Sequence, residues 1–374
     1  MRKTAFALAM GSLLLVPSIS VFAYDLNGKI SFEGTFTGVY QYLDKTQGNF
    51  KDHDRGSGAV DLGLSFTPTD VDEFHITGSF ASGNGVKDVS PFNLAPNADD
   101  LEDDVKNING HKDQDAVLEL WYAHDFNFDK DTSLKLTLGI IDATVYIDDN
   151  RFANDEISQF MNDVFVNTPL TTPPSYDLGA VAEFNKGPIS IKLLGMQTKD
   201  TDVNTFYQYY ALQLGYHWEN SLGEGNYRIY GFMTNKRFPN WTNTEKERLK
   251  GIGISVDQDI IKDKLGAFLR AGWQDDKAQI DYEYLISFGV NIPFSFLGRG
   301  GNELGIGYAY LDGADKADIS NTHAIEAYAK FPLFTQDRLS SDITLDFQYL
   351  NDNYKSDQED KEGFVYGVRW NLAF

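Results

Sequence analysis

The sequence predicts an all-β protein, a 16-stranded antiparallel transmembrane β-barrel with one long, partly helical loop folded inward. Three observations predict it. Apolar and polar residues alternate over segments of about ten to twelve positions, the period of a strand whose two faces meet different surroundings. No apolar stretch after residue 23 reaches the roughly 20 residues a spanning helix needs, although 14% of the chain is aromatic. The alternation also runs to the C-terminus and ends on Phe374.

The first element is a segment to be removed. Met1-Arg2-Lys3-Thr4 carries two positive charges and leads into the apolar run 5–16, which Pro17 and Ser18 interrupt. Val21-Phe22-Ala23 places Val and Ala at the −3 and −1 positions of a cleavage site. Residues 1–23 therefore read as a secretory signal, and residues 24–374 as the barrel. A membrane anchor is the rival, but the run is too short to span. The absence of cysteine among 374 residues removes thiolate, disulfide and cysteine-nucleophile chemistry and fits export. A net charge of −23 argues against a nucleic-acid partner.

Taken in order, the strands are expected near 30–42, 57–68, 73–82, 115–127, 132–142, 175–185, 188–198, 205–219, 226–236, 248–258, 264–274, 281–293, 302–311, 321–332, 341–350 and 363–374. The last is the clearest: Phe364, Tyr366, Val368, Trp370, Leu372 and Phe374 share one face, and Gly367, Arg369, Asn371 and Ala373 the other. In a soluble sandwich such an apolar face meets a second sheet; in a barrel it meets lipid. An even count returns both termini to the periplasmic side. Residues 226–236 fit least well, because Arg228 and Tyr230 fall on one face.

Connections test the count. Residues 68–72, 127–131 and 185–187 are short and fall on the periplasmic side, whereas the longest insertions, 83–114 and 143–174, fall outside. The connection 294–301 is long for a periplasmic turn, and 275–280 is short for an external one. Trp218 and Trp370 come at periplasmic strand ends and Trp273 at an external end, where headgroups lie.

Within 143–174, Asn154-Asp155-Glu156 reads as a helix start, followed by Ile157, Phe160, Met161, Val164 and Phe165 at helical spacing and ended by Pro169 and Pro173-Pro174. A one-sided apolar helix needs a surface to pack on. The barrel interior would make it a constriction; a neighbouring loop would make it a lid over the mouth. The run from Gly139 through Asp142, Asp149-Asn150-Arg151-Phe152-Ala153-Asn154-Asp155-Glu156 and Gln159-Phe160 to the stretch Pro173–Glu183 resembles the carbohydrate-selective porin (OprB) family. That resemblance implies a sixteen-stranded porin passing sugars, with this loop inside the channel.

The chemistry of such passage is independent of the family. A polyol crossing a narrow aqueous lumen exchanges water for hydrogen bonds to the wall, so charged donors and acceptors with a few aromatics suit it. Alternation places Glu33, Asp61, Glu119, Trp121, Lys135, Asp177, Glu183, Lys192, Arg270, Glu326, Lys330, Asp346 and Arg369 on the inner face, and the loop adds Arg151, Asp155 and Glu156. Arg270 and Arg369 facing a loop carboxylate would set up a transverse field; otherwise these are solvated charges that keep the interior wet. The run 99–104 (DDLEDD) invites a divalent cation beside lipopolysaccharide, although charge runs are usually solvated. The six histidines show no metal-ligand spacing, and no cofactor is expected. Expected partners are outer-membrane lipid, lipopolysaccharide and small sugars, with monomer and homotrimer both open. A general porin, a plugged structural barrel and an outer-membrane enzyme are the competing functions. The enzyme would need a Ser or Asp set against a His.

Overall fold

The computed structural model describes residues 24–374 apart from Asn27, Asp100, residues 109–113, Pro169, Thr172 and residues 201–204, so the expected signal at 1–23 lies outside the described residues. Sixteen long strands follow one another: β1 (Ile30–Gln47), β2 (His53–Phe66), β3 (Asp72–Ser82), β4 (Asp115–Asn127), β5 (Thr132–Ile141), β6 (Asp177–Lys186), β7 (Ile189–Asp200) and β8 (Thr205–Asn220), then β9 (Gly223–Thr234), β10 (Lys250–Ile261), β11 (Leu265–Gln274), β12 (Tyr282–Phe296), β13 (Arg299–Gly313), β14 (Ile319–Gln336), β15 (Leu339–Tyr354) and β16 (Lys361–Ala373). Each pairs antiparallel with its sequence neighbours, and β16 returns to β1 in a register that runs from Glu362↔Gln47 to Ala373↔Thr35. The sheet is therefore closed and leaves no long strand with an unpaired edge.

The seam is held by residues that alternation singled out. Phe374 and Gly34 exchange both backbone hydrogen bonds at 3.0 Å. The Phe374 ring lies 5.7 Å from Phe32, and Trp370 meets Phe36 edge-on at 5.2 Å. Aromatic pairs of this geometry add to the burial they bring.

All sixteen expected strands are present, most of them longer than alternation indicated. The apparent long connection at 294–301 contracts to the turn Leu297-Gly298, whose φ values of 50° and 76° are those of a two-residue hairpin turn. Connections at that end of the barrel have two to five residues, while the other end carries 83–114, 142–176 and 235–249.

The faces divide by polarity. Leu138, Leu193, Phe206, Tyr210, Ile252, Leu345 and Trp370 are exposed on the outside, and Gln41, Glu183, Gln213, Arg270, Glu326 and Arg369 are buried on the inside. The anomaly at Arg228 and Tyr230 is resolved by what covers them. Both face inward: Arg228 pairs with Asp257 at 2.7 Å and Asp149 at 3.2 Å, and the Tyr230 hydroxyl lies 2.9 Å from that of Thr168. The outer face of β9 keeps Ile229 and Met233, so its register is regular.

The expected helix from Asn154 to Phe165 is a correction. Only Asp163–Val166, α1, is helical in that stretch, preceded by a single 3₁₀ turn at Ala143–Val145. Side chains compete with the helix for its backbone donors. Asp155 accepts from the amides of Ile157 and Ser158 at 2.9 and 3.0 Å, and Asn162 from Val164 at 3.2 Å. Glu326 of β14 takes the amides of Met161 and Asn162 at 2.5 and 3.0 Å. The apolar spacing is still used: Phe160, Val164 and Phe165 are buried with Phe268, Leu285, Leu311 and Tyr328.

The register of β5 against β4 depends on Gly139, which has φ 150° and where a Cβ would lie 2.2 Å from the Leu120 carbonyl and 2.6 Å from the Trp121 Cα. Gly139→Val is expected to separate these strands and lower the unfolding temperature, read as loss of the compact, fast-migrating band on unheated gels. A variant whose band melts at the wild-type temperature would show that the pairing tolerates a side chain there.

Candidate functional site

The site is built on the segment 142–176 and the inner-face residues that meet it. Arg270, with 0% of its surface exposed, is the main fastening. Its Nε donates to Asp148 Oδ1 at 2.8 Å, and its Nη atoms donate to the carbonyls of Phe165 at 2.8 Å, Asp148 at 3.1 Å, Val166 at 3.2 Å and Ala153. One guanidinium thus satisfies carbonyls from both limbs of the segment. Arg369 of β16, equally buried, donates to the carbonyls of Glu156 at 2.5 Å and Gln159 at 2.9 Å. Between them Glu326 receives the Met161 and Asn162 amides, Lys330 donates to the Ser158 carbonyl at 3.0 Å and Asn371 to that of Ile157 at 2.8 Å.

Polar and apolar contacts alternate along the same surface. Asp148 Oδ2 accepts from the Thr168 amide at 2.8 Å, and its own amide donates to Gln213 at 2.9 Å. Phe152 lies over Gly266, where a Cβ would come within 2.1 Å of its ring. Ala143, Tyr146 and Ile147 pack with Val181, Leu194, Tyr209 and Phe232. The second long connection joins from above: Ala98 donates to the Met161 carbonyl at 2.9 Å, and Gln348 to the Pro96 carbonyl at 2.8 Å.

Arg151 stands at the opposite end of the wall from the point where the segment leaves β5. It pairs with Asp259 at 2.6 Å and Glu224 at 3.1 Å, beside the short turns at 262–264 and 221–222. Its guanidinium also lies 4.4 Å from the Phe152 ring. At about 3.3 Å per strand residue, those partners stand most of the wall's height away from the end of β5.

The residues singled out in the sequence thus separate into two groups. Arg151, Arg270, Arg369, Glu326 and Lys330 fasten the segment, and Asp155 caps a turn within it, also accepting from the Ser158 hydroxyl at 2.5 Å. Asp346, 6% exposed, accepts from Gln348 at 2.9 Å. Lys192 bridges Asp149 at 3.2 Å and Glu183 at 3.8 Å. Arg270 consequently faces a loop carboxylate, Asp148, while Arg369 is bonded to segment carbonyls. Their exposure is zero because the segment covers them.

A second group lines β1–β5, with Trp121 packed against the cluster that Ala143, Tyr146 and Ile147 form at the start of the segment. Trp121 stacks on His75 with centroids 4.9 Å apart, Lys135 stands 6.0 Å from the Trp121 ring and pairs with Glu73 at 3.5 Å, and Glu119 lies 3.8 Å from His75. Glu33 and Asp61 stand on the neighbouring strands, and Asp177 begins β6. This wall brings together carboxylates, one ammonium and an indole, the groups that exchange hydrogen bonds and apolar contact with a polyol.

Three electrostatic features belong to the segment itself. Burial opposes the charge of Asp149, but Lys192 and Arg228 outweigh it and hold the carboxyl below its ordinary range. Burial, with repulsion from Asp155, pushes Glu156 well above its range. Burial pushes Asp163 up to about 6, and its Oδ1 has no hydrogen-bond partner.

Sequence reasoning missed Asp148, Asn162 and Gln213, because a polar residue in a long loop carries no signal of what it meets. The shared face of Arg228 and Tyr230 was the one trace of a covering segment. Of the acidic run, Asp100 lies outside the described residues, while Glu102 opens the short helix Glu102–Ile108 and accepts the Gly83 amide at 2.7 Å.

Two outcomes follow for the fastening. Arg270→Met strands Asp148 and four carbonyls in a buried site, a loss on the order of 3–5 kcal/mol. Limited proteolysis is expected to cut within 143–174 while the barrel band persists, and an uncut segment would show that Arg270 is dispensable. The raised carboxyl of Asp163 binds a proton more readily folded than unfolded. Its contribution therefore favours docking as pH falls toward 4 and is lost as pH rises through about 6. Protection from protease should be greater at pH 5 than at pH 8, and Asp163→Asn should narrow that difference; an unchanged difference would assign it to other groups.

The comparisons agree with this geometry. A family model described as carbohydrate-selective porin, OprB family, matches residues 102–374. An uncharacterized protein of Aquifex aeolicus (strain VF5) is 31% identical over 285 residues, 76% of each chain. The high-pH structure of Pseudomonas putida OprB superposes with a TM-score of 0.71 at 13% identity, covering 92% of this chain and 94% of that one. A loop L8 deletion mutant of OmpT from Vibrio cholerae gives 0.54 at 12%, covering 91% and 98%. At these identities the two structures establish the fold alone, and the family model with the 31% relative establishes the lineage. The chain belongs to the carbohydrate-selective porin (OprB) family and is a bacterial outer-membrane β-barrel porin for small solutes.

Proposed function

We propose that the segment 142–176 folds into the barrel and forms the constriction of a diffusion channel whose passengers are foremost small carbohydrates. The observation that carries this reading is the reach of Arg151. A segment leaving the long-loop end cannot pair with Glu224 and Asp259, beside the short turns of the opposite end, while resting over the mouth as a lid. The passage then runs between the outer surface of the segment and the wall of β1–β5. There Glu33, Asp61, Glu119 and Lys135 offer hydrogen bonds, and the Trp121 indole offers an apolar surface for a sugar ring.

A non-catalytic role fits the histidine nearest to a triad. His75 Nδ1 lies 2.7 Å from the Ser65 hydroxyl, but Nε2 is taken by Thr77 at 2.7 Å and Glu119 stands 3.8 Å away. A base held between two hydroxyls, without a carboxylate orienting its far nitrogen, lacks the arrangement that activates a nucleophile. Residues 1–23 serve in this reading as the export signal, and the short-turn end faces the periplasm.

Deleting residues 154–166 is expected to raise single-channel conductance several-fold and to abolish any preference among neutral sugars in liposome swelling. Unchanged conductance in a folded variant would put the segment outside the passage. Equal swelling rates for sugars and for amino acids of similar size in the wild type would reduce the channel to a general porin.

A further inference from the structure

We propose that the passage also selects by charge, admitting small cations and cationic solutes in preference to anions, through a file of carboxylates on the wall facing the constricting segment. This rests on the channel reading above and specifies its electrostatics.

The cations of the interior are already committed. Arg270 and Arg369 are covered and bonded to segment carbonyls, Arg228 is shared by Asp149 and Asp257, Arg151 by Glu224 and Asp259, and Lys192 by Asp149 and Glu183. Lys330 donates to the Ser158 carbonyl. The carboxylates are not matched in the same way. Among the described residues Glu33, Asp61, Glu119 and Asp142 have no Lys or Arg nitrogen within 4.0 Å. They stand on consecutive elements of one wall: Glu33 on β1, Asp61 on β2, Glu73 on β3, Glu119 on β4 and Asp142 just past β5, with Asp61 opposite Thr35 of β1 and Glu119 opposite Thr77 of β3. By strand position this file descends from the segment and the long-loop end of β5, through the middle of β4, to the short-turn ends of β1 and β3. Its one ammonium is Lys135, on Glu73.

A second observation points to mobile counter-ions. Asp61 Oδ1 is buried without a protein hydrogen-bond partner, and so is Oε1 of Glu183, a residue 5% exposed on the same side of the interior. A carboxylate oxygen left without a protein donor is costly to keep charged, and it stays ionised only where water or a cation can approach the group. Neighbouring charges closer than the Debye length of about 8 Å at physiological salt merge into one continuous negative potential. That potential concentrates cations and opposes anions, and leaves a neutral sugar free to donate its hydroxyls to the same oxygens.

The test is the zero-current potential of the purified full-length protein in a planar bilayer under a tenfold KCl gradient. The expected sign is that of potassium over chloride, with a permeability ratio of several-fold at 0.1 M mean salt, falling toward unity at 1 M as the fixed charges are screened. The triple variant Glu33→Gln/Asp61→Asn/Glu119→Gln should lower the ratio in channels that still open. A wild-type ratio at or below one, or one independent of salt, would overturn the proposal whether or not the variant folds. An unaltered ratio in open variant channels would do the same. A wild type that opens no channels at all would instead overturn the channel reading beneath it.

Discussion

The interior is organised by a single buried cation. A guanidinium cannot lose its water unless each of its donors is received, and Arg270 meets that condition through Asp148 and the backbone carbonyls of Ala153, Phe165 and Val166. The wall residue therefore requires the segment, and the segment's unpaired carbonyls require the wall. The backbone groups of an irregular, buried segment must be satisfied by protein or water. Here Arg270, Arg369, Lys330 and Asn371 donate to the carbonyls, and Glu326 and Gln213 accept from the amides.

This fastening divides the interior into two walls of different character. On β9–β16 the cations face inward and are consumed, leaving an apolar and polar bed into which Phe152, Phe160 and Phe165 pack. On β1–β5 the connection 83–114 covers part of the wall, through Gln41 bonded to Val86 and Pro96 and through Val105 packed on Ala59 and Ala81, and the half-buried Glu33, Asp61 and Glu119 stand in the rest with the Trp121–His75 stack. In the proposed channel, positive charge is spent on structure and negative charge is left for passage.

The strands were legible because closure imposes two solvents on one sheet. Lipid outside and water inside write a period of two into every strand, and it persists even in β9, where Arg228 and Tyr230 disguised it. The seam was legible for the same reason, since Phe374 belongs to the outer face of β16 and packs there on Phe32. Helical spacing in 157–165 had no such guarantee. Apolar residues three and four apart also suit a chain of turns whose side chains all point to one wall, and Asp155, Asn162 and Glu326 chose that alternative by claiming amides a helix needs.

By itself, then, the sequence determined the number of strands, which face of each meets lipid, which connections are long and that one of them must bury an apolar side. These follow from periodicity and length, which are local properties of the chain. Only the tertiary structure decided which inward charges are available. Arg270 and Glu119 look alike in the sequence, each an ionisable residue on the inner face of a strand, yet one is sealed under Asp148 and Phe165 and the other stands partly exposed 3.8 Å from His75. The difference is made by a segment more than a hundred residues away from Arg270 in the chain, whose backbone groups carry no mark in the sequence of the side chains that will satisfy them.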